Sequence, residues 1–450
     1  MKKFIMWIII ASILFFSCSE QKKITESKNF VHPEWSYNAS IYEVNIRQFT
    51  NEGTFNSFLN HLPELKKLGV DILWLMPINP IGEKNRKGTL GSYYSVKDYK
   101  AINPNFGSKE DFKTLVDSIH SLGMHVIIDW VANHTSWDNK WTKTNPEFYN
   151  KDSLGNFIPP VADWSDVIDL NYENKELRNA MTEALLYWVK EFNIDGYRCD
   201  VAEMVPLDFW KNTRKELDKI KPVFMLAEGE NPELHKNGFD MTYNWKLKDA
   251  MNNYAKGLIS VDSIKNSFIV NSKLYADDDI RMNFTSNHDE NTWAGTEFER
   301  LGDLAEPFAI LALTAKGMPL IYNGQEAGMN KRLQFFEKDF IPWHDYKMRS
   351  IYSIVLAEKK VNSAMWNGNK GGNMKFINSD NNKIFAFSRE MGNDKIYVLI
   401  NLSNNKQEFK VTDKNVNLSL TNLFTNDKID LVSGVQFTLE PNGYFVLVNK

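Results

Sequence analysis

Eight times between residues 41 and 322, a short β-branched or aromatic run is followed by a polar loop and an amphipathic stretch. The runs are Ile41–Ile46, Ile72–Met76, His125–Trp130, Gly196–Asp200, Val223–Ala227, Asp240–Asn244, Arg281–Thr285 and Met318–Tyr322. This alternation predicts a (β/α)8 TIM barrel, in which each of eight parallel strands feeds a helix on the outside. Several runs are nearly continuous in apolar residues, as parallel strands buried on both faces require. The stretches between them carry the helical period: Leu177, Met181, Leu185, Trp188, Val189 and Phe192 share one face. Ser108 and Asp111 predict a capping box, with Asp in place of the usual Glu. Leu68-Gly69 and Leu122-Gly123 place glycine where a helix end needs a left-handed residue.

The alternation breaks twice. Residues 135–173 are rich in Trp, Asn, Asp and Pro and have no period, which marks a short insert (domain B) or functional loop after strand 3. Beyond an amphipathic helix near Met348–Val361, clusters of Asn, Asp and Gly separate short strands at Ile384–Ser388, Ile396–Asn401, Val435–Leu439 and Tyr444–Val448. That pattern predicts a C-terminal antiparallel β-sandwich over residues 366–450, leaving 37–365 to the α/β barrel.

With 53 basic and 57 acidic side chains the chain has no basic excess, which excludes nucleic acid as its expected partner. Two cysteines, Cys18 and Cys199, exclude a disulfide framework and a cysteine-rich metal site. Lys2 and Lys3 precede an apolar run, Phe4–Phe16, that is too short to span a bilayer and reads as a secretory signal. Leu14-Phe15-Phe16-Ser17-Cys18 resembles a bacterial lipobox. The expectation is a lipoprotein signal peptide over residues 1–18, with Cys18 the lipidated first residue of the mature chain and 19–36 a linker. The chain would then be lipid-anchored in the bacterial cell envelope, at the outer membrane or a periplasm-facing surface. An ordinary signal peptide with an incidental cysteine is the alternative.

Active sites of parallel barrels form at the C-terminal ends of the strands. Strand three ends in Asp129-Trp130-Val131-Ala132-Asn133-His134, strand four in Arg198-Cys199-Asp200, strand five in Glu228, and strand seven runs into Asn287-His288-Asp289. Arg198 and Asp200, two apart on a strand, share a face. The cation is expected to keep Asp200 ionised, as a nucleophile must be. Cys199 points the other way and is read as core. Consecutive strand ends lie about 4.8 Å apart, close to the roughly 5–5.5 Å between paired carboxyls in retaining glycosidases. Glu228 follows the apolar run Phe224-Met225-Leu226-Ala227, a setting that favours a protonated general acid. Any single one of the 57 acidic residues could be a solvated loop carboxylate; joint placement at four strand ends is harder to reach by chance.

In this order the motifs resemble those of glycoside hydrolase family 13, the α-amylase family, over roughly residues 37–450: Asp129…Asn133-His134, Gly196-x-Arg198-x-Asp200, Glu228, and Phe284…Asn287-His288-Asp289. Val167-Ile168-Asp169-Leu170-Asn171 and Gly317-Met318-Pro319…Tyr322-Asn323-Gly324-Gln325-Glu326 match as well. The resemblance implies Asp200 as nucleophile, Glu228 as acid/base and Asp289 as stabiliser of the distorted sugar. It assigns Arg198, His134 and His288 to hydrogen bonds with that sugar and Tyr94 to stacking on it.

The implied activity is retaining hydrolysis of α-1,4-glucosidic bonds in an α-glucan or maltooligosaccharide substrate. Cyclomaltodextrinase, α-glucosidase or 4-α-glucanotransferase chemistry on the same scaffold is the alternative. A non-catalytic glucan-binding protein is disfavoured by the intact carboxylates. No organic cofactor is implied. Asn133 and Asp169 match ligands of a Ca²⁺ that joins barrel to insert, and because relatives keep both residues without the metal, calcium stays open. One departure stands out: Val201-Ala202-Glu203-Met204 follows the nucleophile, where typical α-amylases carry Lys-His at the last two positions, on the leaving-group side. Aromatic residues make up 13% of the chain, and Tyr93, Tyr94, Trp130, Trp137, Trp141 and Trp164 are expected to line the path of the substrate.

Overall fold

The computed structural model describes residues 30–343, 346–414 and 416–449; residues 1–18, read above as a signal peptide ending at Cys18, lie outside the described residues. The first ten strands are β1 (Ile41–Val44), β2 (Ile72–Leu75), β3 (His125–Trp130), β4 (His134–Ser136), β5 (Val167–Asp169), β6 (Gly196–Cys199), β7 (Phe224–Ala227), β8 (Met241–Tyr243), β9 (Ile280–Asn283) and β10 (Met318–Tyr322). All but β4 and β5 close a parallel barrel in the order β1-β2-β3-β6-β7-β8-β9-β10, so strands adjacent in sequence are neighbours in space. The eight expected strands are all present, most of them one or two residues shorter than their apolar runs. Most of the trimmed residues lie at the C-terminal ends, where the chain leaves the sheet at the mouth; Val223 and Asp240 are trimmed at the opposite end.

The side-chain period of two explains the layering. Ile72 and Trp74, Phe224 and Leu226, Met241 and Tyr243, Ile280 and Met282, and Met318 and Leu320 point inward and fill the barrel. The residues between them, such as Leu73, Leu75, Val126, Ile128 and Met225, join the larger core between strands and helices. Gly196 is required where β6 meets β7: a Cβ there would lie 1.8 Å from the Phe224 carbonyl oxygen. That close approach sets side by side the two strands whose ends carry Asp200 and Glu228.

Helix signals behave as read. Ser108 and Asp111 exchange hydrogen bonds at 3.1 and 2.8 Å across the start of helix Lys109–Ser121. Gly69 caps helix Leu62–Leu68 at a φ of 100°. The helix Lys175–Phe192 buries the six apolar residues named above.

The insert is organised by β4 and β5, which pair antiparallel with His134 opposite Asp169. The C-terminal region adds β11 (Met374–Phe376), β12 (Ile384–Met391), β13 (Asp394–Asn401), β14 (Gln407–Lys410), β15 (Asn417–Asn422), β16 (Lys428–Val432), β17 (Gln436–Leu439) and β18 (Tyr444–Val448). Six form one sheet in the order β11-β12-β13-β18-β15-β16, and β14 pairs with β17 as a separate ribbon. One face of the sheet packs Ala386, Leu399, Leu420 and Leu447 against Phe409 and Leu439 of the ribbon. Phe385, Phe387, Val398 and Val446 on the other face join the core of the barrel. Between barrel and sheet lies the helix Ala305–Thr314, every residue of which but Glu306 is buried. A helix that is apolar all round belongs in such an interior position.

Candidate active site

The C-terminal strand ends converge on one side chain, Arg198, which β6 projects inward and which is fully buried. Its Nη1 donates to Asp129 Oδ1 at 2.8 Å and to Asp200 Oδ1 at 2.9 Å. Its Nε donates to the Tyr243 hydroxyl at 3.2 Å. Its Nη2 lies 2.9 Å from Glu228 Oε2, as an ion pair outside hydrogen-bond alignment. The guanidinium also sits over the Trp74 ring, 5.1 Å from the centroid. Three carboxylates thus share one cation, and Asp200 and Glu228 are held by the two arms of a single planar fork. Cys199 faces outward into the core, as expected.

Sharing has an electrostatic consequence. Burial, and then the charge of Glu228, push the Asp200 carboxyl well above its ordinary range, and the opposing pull of Arg198 does not prevail. Arg198 favours the ionised form of Asp200, as expected of a neighbouring cation, but its one positive charge is divided among three acids in a desolvated site. Burial likewise raises Asp129 against the pull of Arg198. Burial works against the Arg198 cation, but Asp129 and Glu228 outweigh it and hold the guanidinium charged.

Two histidines flank the cluster in opposite charge states. His134 Nε2 lies 3.9 Å from Asp200 Oδ2, and burial lowers its pKa to about 3, leaving a neutral ring. Burial also pulls His288 down, but Asp289 at 3.3 Å and Glu43 at 2.5 Å overturn it and raise the ring to about 9. Tyr94 donates its hydroxyl to Asp129 Oδ2 at 3.0 Å and meets His288 Nε2 at 2.8 Å. Its ring stacks at 5.5 Å on His288 and at 6.1 Å on Phe335. Asp289 is more open, with 36% of its side chain exposed. The site therefore joins a dry, charged floor to an accessible carboxylate at the rim.

The backbone beyond the nucleophile position is strained. Val201 has φ 36° and ψ 48°, a left-handed conformation that a β-branched residue rarely adopts. It turns the Val201 N–H onto Glu228 Oε2 at 2.7 Å. Strain of this kind persists where surrounding contacts over-determine it, and it concentrates at working sites.

The structure brings together Asp200, Glu228, Asp289, Tyr94, His134, Arg198 and His288. Sequence reading did not single out Glu43 on β1, Trp74 on β2 or Tyr243 on β8, all of which touch this group. Their signal was position alone, since each occupies an inward or strand-end place in a run that reads as core. Among the aromatics expected along the cleft, Trp130 is wholly buried against Tyr99 and Tyr197, and Trp141 packs on Tyr99 and Phe148. Tyr93 is buried beneath Arg47. Trp164 does lie beside His134, at 5.5 Å between rings. A rim tryptophan not anticipated, Trp293, is 56% exposed and leans on Phe335 and Phe336. It falls four residues after Asp289, and that spacing was the available signal.

The model of the alpha-amylase catalytic domain matches residues 19–158 and 161–419. The chain belongs to the α-amylase family. The family's fold extends to solved structures. A noncanonic maltogenic α-amylase from Thermotoga neapolitana is 30% identical, with a TM-score of 0.84 over 91% of this chain and 98% of that one. An α-amylase from Lactobacillus plantarum is 31% identical, with a TM-score of 0.83 over 92% and 99%. Alpha-amylase 2 of Dictyoglomus thermophilum is 27% identical over 88% of this chain and 75% of its own length.

For calcium, the donor set at Asn133 and Asp169 does not fit as arranged. Asp169 Oδ2 accepts the Asn150 amide N–H at 2.6 Å, so that oxygen faces a donor where it would face a cation. The amide nitrogen of Asn133 lies 3.3 Å from His134 Nδ1. Among the described residues no three His, Cys, Asp or Glu side chains converge as a metal site. Ca²⁺ takes six to eight oxygen ligands.

Proposed function

We propose that this amylase-family chain is a retaining α-glucan hydrolase that cleaves α-1,4-glucosidic bonds in maltooligosaccharides. The observation that carries the reading is the Arg198 fork, which presents Asp200 and Glu228 side by side. Retention requires that short separation, because one carboxyl attacks carbon while the other serves the departing oxygen. Glu228 protonates the glycosidic oxygen as Asp200 attacks the anomeric carbon; the C–O bond breaks and a glycosyl ester forms on Asp200. Glu228, now a carboxylate, takes a proton from water, whose oxygen attacks the same carbon and frees Asp200 with the α configuration retained. Asp289 and the cationic His288 bind the sugar hydroxyls on one side, with neutral His134 on the other. Tyr94 fixes His288 and Asp129 through its hydroxyl.

Asp200→Asn and Glu228→Gln test this reading. Each is expected to lose about 10³-fold or more of kcat on maltotetraose while melting like the wild type, and NMR of the wild-type product should show the α anomer first. Residual hydrolysis by both variants above a hundredth of wild type, or β-anomeric product, would overturn it.

The Glu203-Met204 pair, with Met204 44% exposed beside the nucleophile turn, supports a second reading at the level of specificity. The leaving-group side lacks the usual cation, which suits cyclomaltodextrinase-like action on short or cyclic substrates. Comparative rates on amylose and cyclodextrin separate the two.

The lipobox supports attachment through Cys18 to an envelope membrane, by a thioether-linked lipid. Expressed from its full sequence in a bacterium, the protein is expected in the membrane fraction and Cys18→Ala in the soluble one. Equal partitioning of both would end that assignment.

A further inference from the structure

We propose that Glu203 is a positioning residue that fixes the acid/base loop by grasping its backbone. The proposal rests on the function given above, and replaces a sugar contact on the leaving-group side with an internal brace. Glu203 sits in the single helical turn Ala202–Met204 that follows the nucleophile. One of its oxygens, Oε1, accepts the backbone N–H groups of Glu230 at 2.6 Å and Asn231 at 2.7 Å. The side chain lies flat on Gly229: a Cβ there would fall 2.6 Å from Glu203 Cγ and 2.7 Å from its Oε1. Gly229 is not among the residues at positive φ, so space, not conformation, demands glycine at this position.

The brace is one of several ties between the two loops. The Val201 N–H reaches Glu228 Oε2 at 2.7 Å and the Ala202 N–H reaches the Glu228 carbonyl at 3.1 Å. On the far side, the Tyr275 hydroxyl holds the Glu230 carbonyl, and Arg281 holds the Glu230 carboxylate at 2.6 Å. The Tyr243 N–H takes the Gly229 carbonyl at 3.1 Å. Residues 228–231 are thus gripped on both flanks, and Glu203 supplies the grip from the nucleophile's side. It needs an acceptor: a carboxylate oxygen can receive two N–H groups, whereas a lysine ammonium only donates. The Glu found here where typical α-amylases carry Lys is therefore a change of job. The exposed Glu203 side chain spends its carboxylate Oε1 on the backbone behind the proton donor.

A displacement of about 1 Å in such a group costs on the order of 100-fold in rate. Glu203→Ala and Glu203→Lys are expected to lower kcat on maltotetraose roughly 10- to 100-fold with KM within about twofold. On 2,4-dinitrophenyl α-maltoside, whose leaving group departs without a proton, the loss should stay under about threefold. Glu203→Gln keeps the acceptor oxygen and should stay within about threefold on both substrates. Equal losses on both substrates, a rise in KM at constant kcat, or an alanine variant like wild type would each overturn the proposal.

Hydrogen exchange at amides 230 and 231 reads the brace without reference to catalysis. It should quicken about tenfold or more in Glu203→Ala and not in Glu203→Gln. If the wild type failed to hydrolyse maltotetraose while the exchange pattern held, the assigned reaction would fall and the brace would stand. Unchanged exchange in the alanine variant would remove the brace whatever the enzyme cleaves.

Discussion

His288 shows how one residue's chemistry is set by neighbours that its own motif does not contain. It carries a proton because Glu43 on β1 and Asp289 beside it outweigh the burial that alone would strip it. An ordinary histidine titrates near 6.5, so a folded pKa of about 9 means that the native state binds the proton more tightly than the unfolded chain. The stabilisation is fully present below about pH 6.5 and is lost as pH rises through 9. Glu43→Gln keeps a hydrogen-bond acceptor and removes the charge. It is expected to cost about 2 kcal/mol at pH 6 and much less at pH 9.5, read as the gap between urea midpoints of variant and wild type at each pH. A gap that is independent of pH would place the raised pKa elsewhere. The motif histidine was legible in the sequence, and Glu43 was not. It reads as one residue of a strand, Ile-Tyr-Glu-Val, and only barrel closure, which sets β1 beside β10, brings it under His288. Asp200 and its Arg198 partner were legible in identity, whereas neither burial nor the reach of Arg198 to a third acid is written in local spacing.

Elements were legible wherever one period ran long enough to be counted. The eight barrel strands and the helix Lys175–Phe192 satisfy that condition. The strands β11, β14, β15 and β16 do not: β14 buries one residue of four, and β15 begins with alternating exposed and half-buried positions. Such edge segments gain their pairing from the sheet they join, a tertiary effect with little local trace. The turn after β6 is the opposite case. Its sequence, Val201-Ala202-Glu203-Met204, looks unremarkable for a loop, yet Val201 is held left-handed, and the Val201 N–H and the Glu203 carboxylate both tie it to the loop after β7. The strain at Val201 and the grip of Glu203 are two halves of one device. The first aims an N–H at the Glu228 carboxylate, and the second stops the loop that carries Glu228 from yielding. The cleft aromatics divide on the same principle. Trp130 sits on a strand and obeys the strand's outward burial, whereas Trp293 sits past a strand end and stays at the rim.

At the scale of the whole molecule, the C-terminal sheet is part of the barrel's core and not an appendage, and Arg389 shows why. It is fully buried on β12. Its Nε donates to the Gly372 carbonyl at 2.8 Å, its Nη1 to Thr314 at 3.0 Å and Ala315 at 2.9 Å, and its Nη2 to Trp366 at 2.6 Å. Thr314 and Ala315 end the buried helix that leads into β10, and Trp366 belongs to the segment joining barrel to sheet. One guanidinium therefore satisfies four carbonyls from three parts of the chain, and a rigid fork suits this better than a point charge. Arg389→Ala would leave those carbonyls buried without donors, at about 1–3 kcal/mol for each one that water cannot reach. An expected loss of about 4 kcal/mol should appear as a lower urea midpoint. Arg389→Lys, with three donors on a flexible stem, should recover less than half of it. Because the same clasp holds the helix that precedes β10, barrel and sheet should unfold in one transition, with tryptophan fluorescence and amylase activity lost together in wild type. In the alanine variant activity should fall at a lower urea concentration than the bulk of the β-sheet signal, since two of the four opened carbonyls, Thr314 and Ala315, end the helix that leads into β10. Coincident curves in the variant would mean that the apolar face alone, Phe385, Phe387 and Val398, couples the two parts.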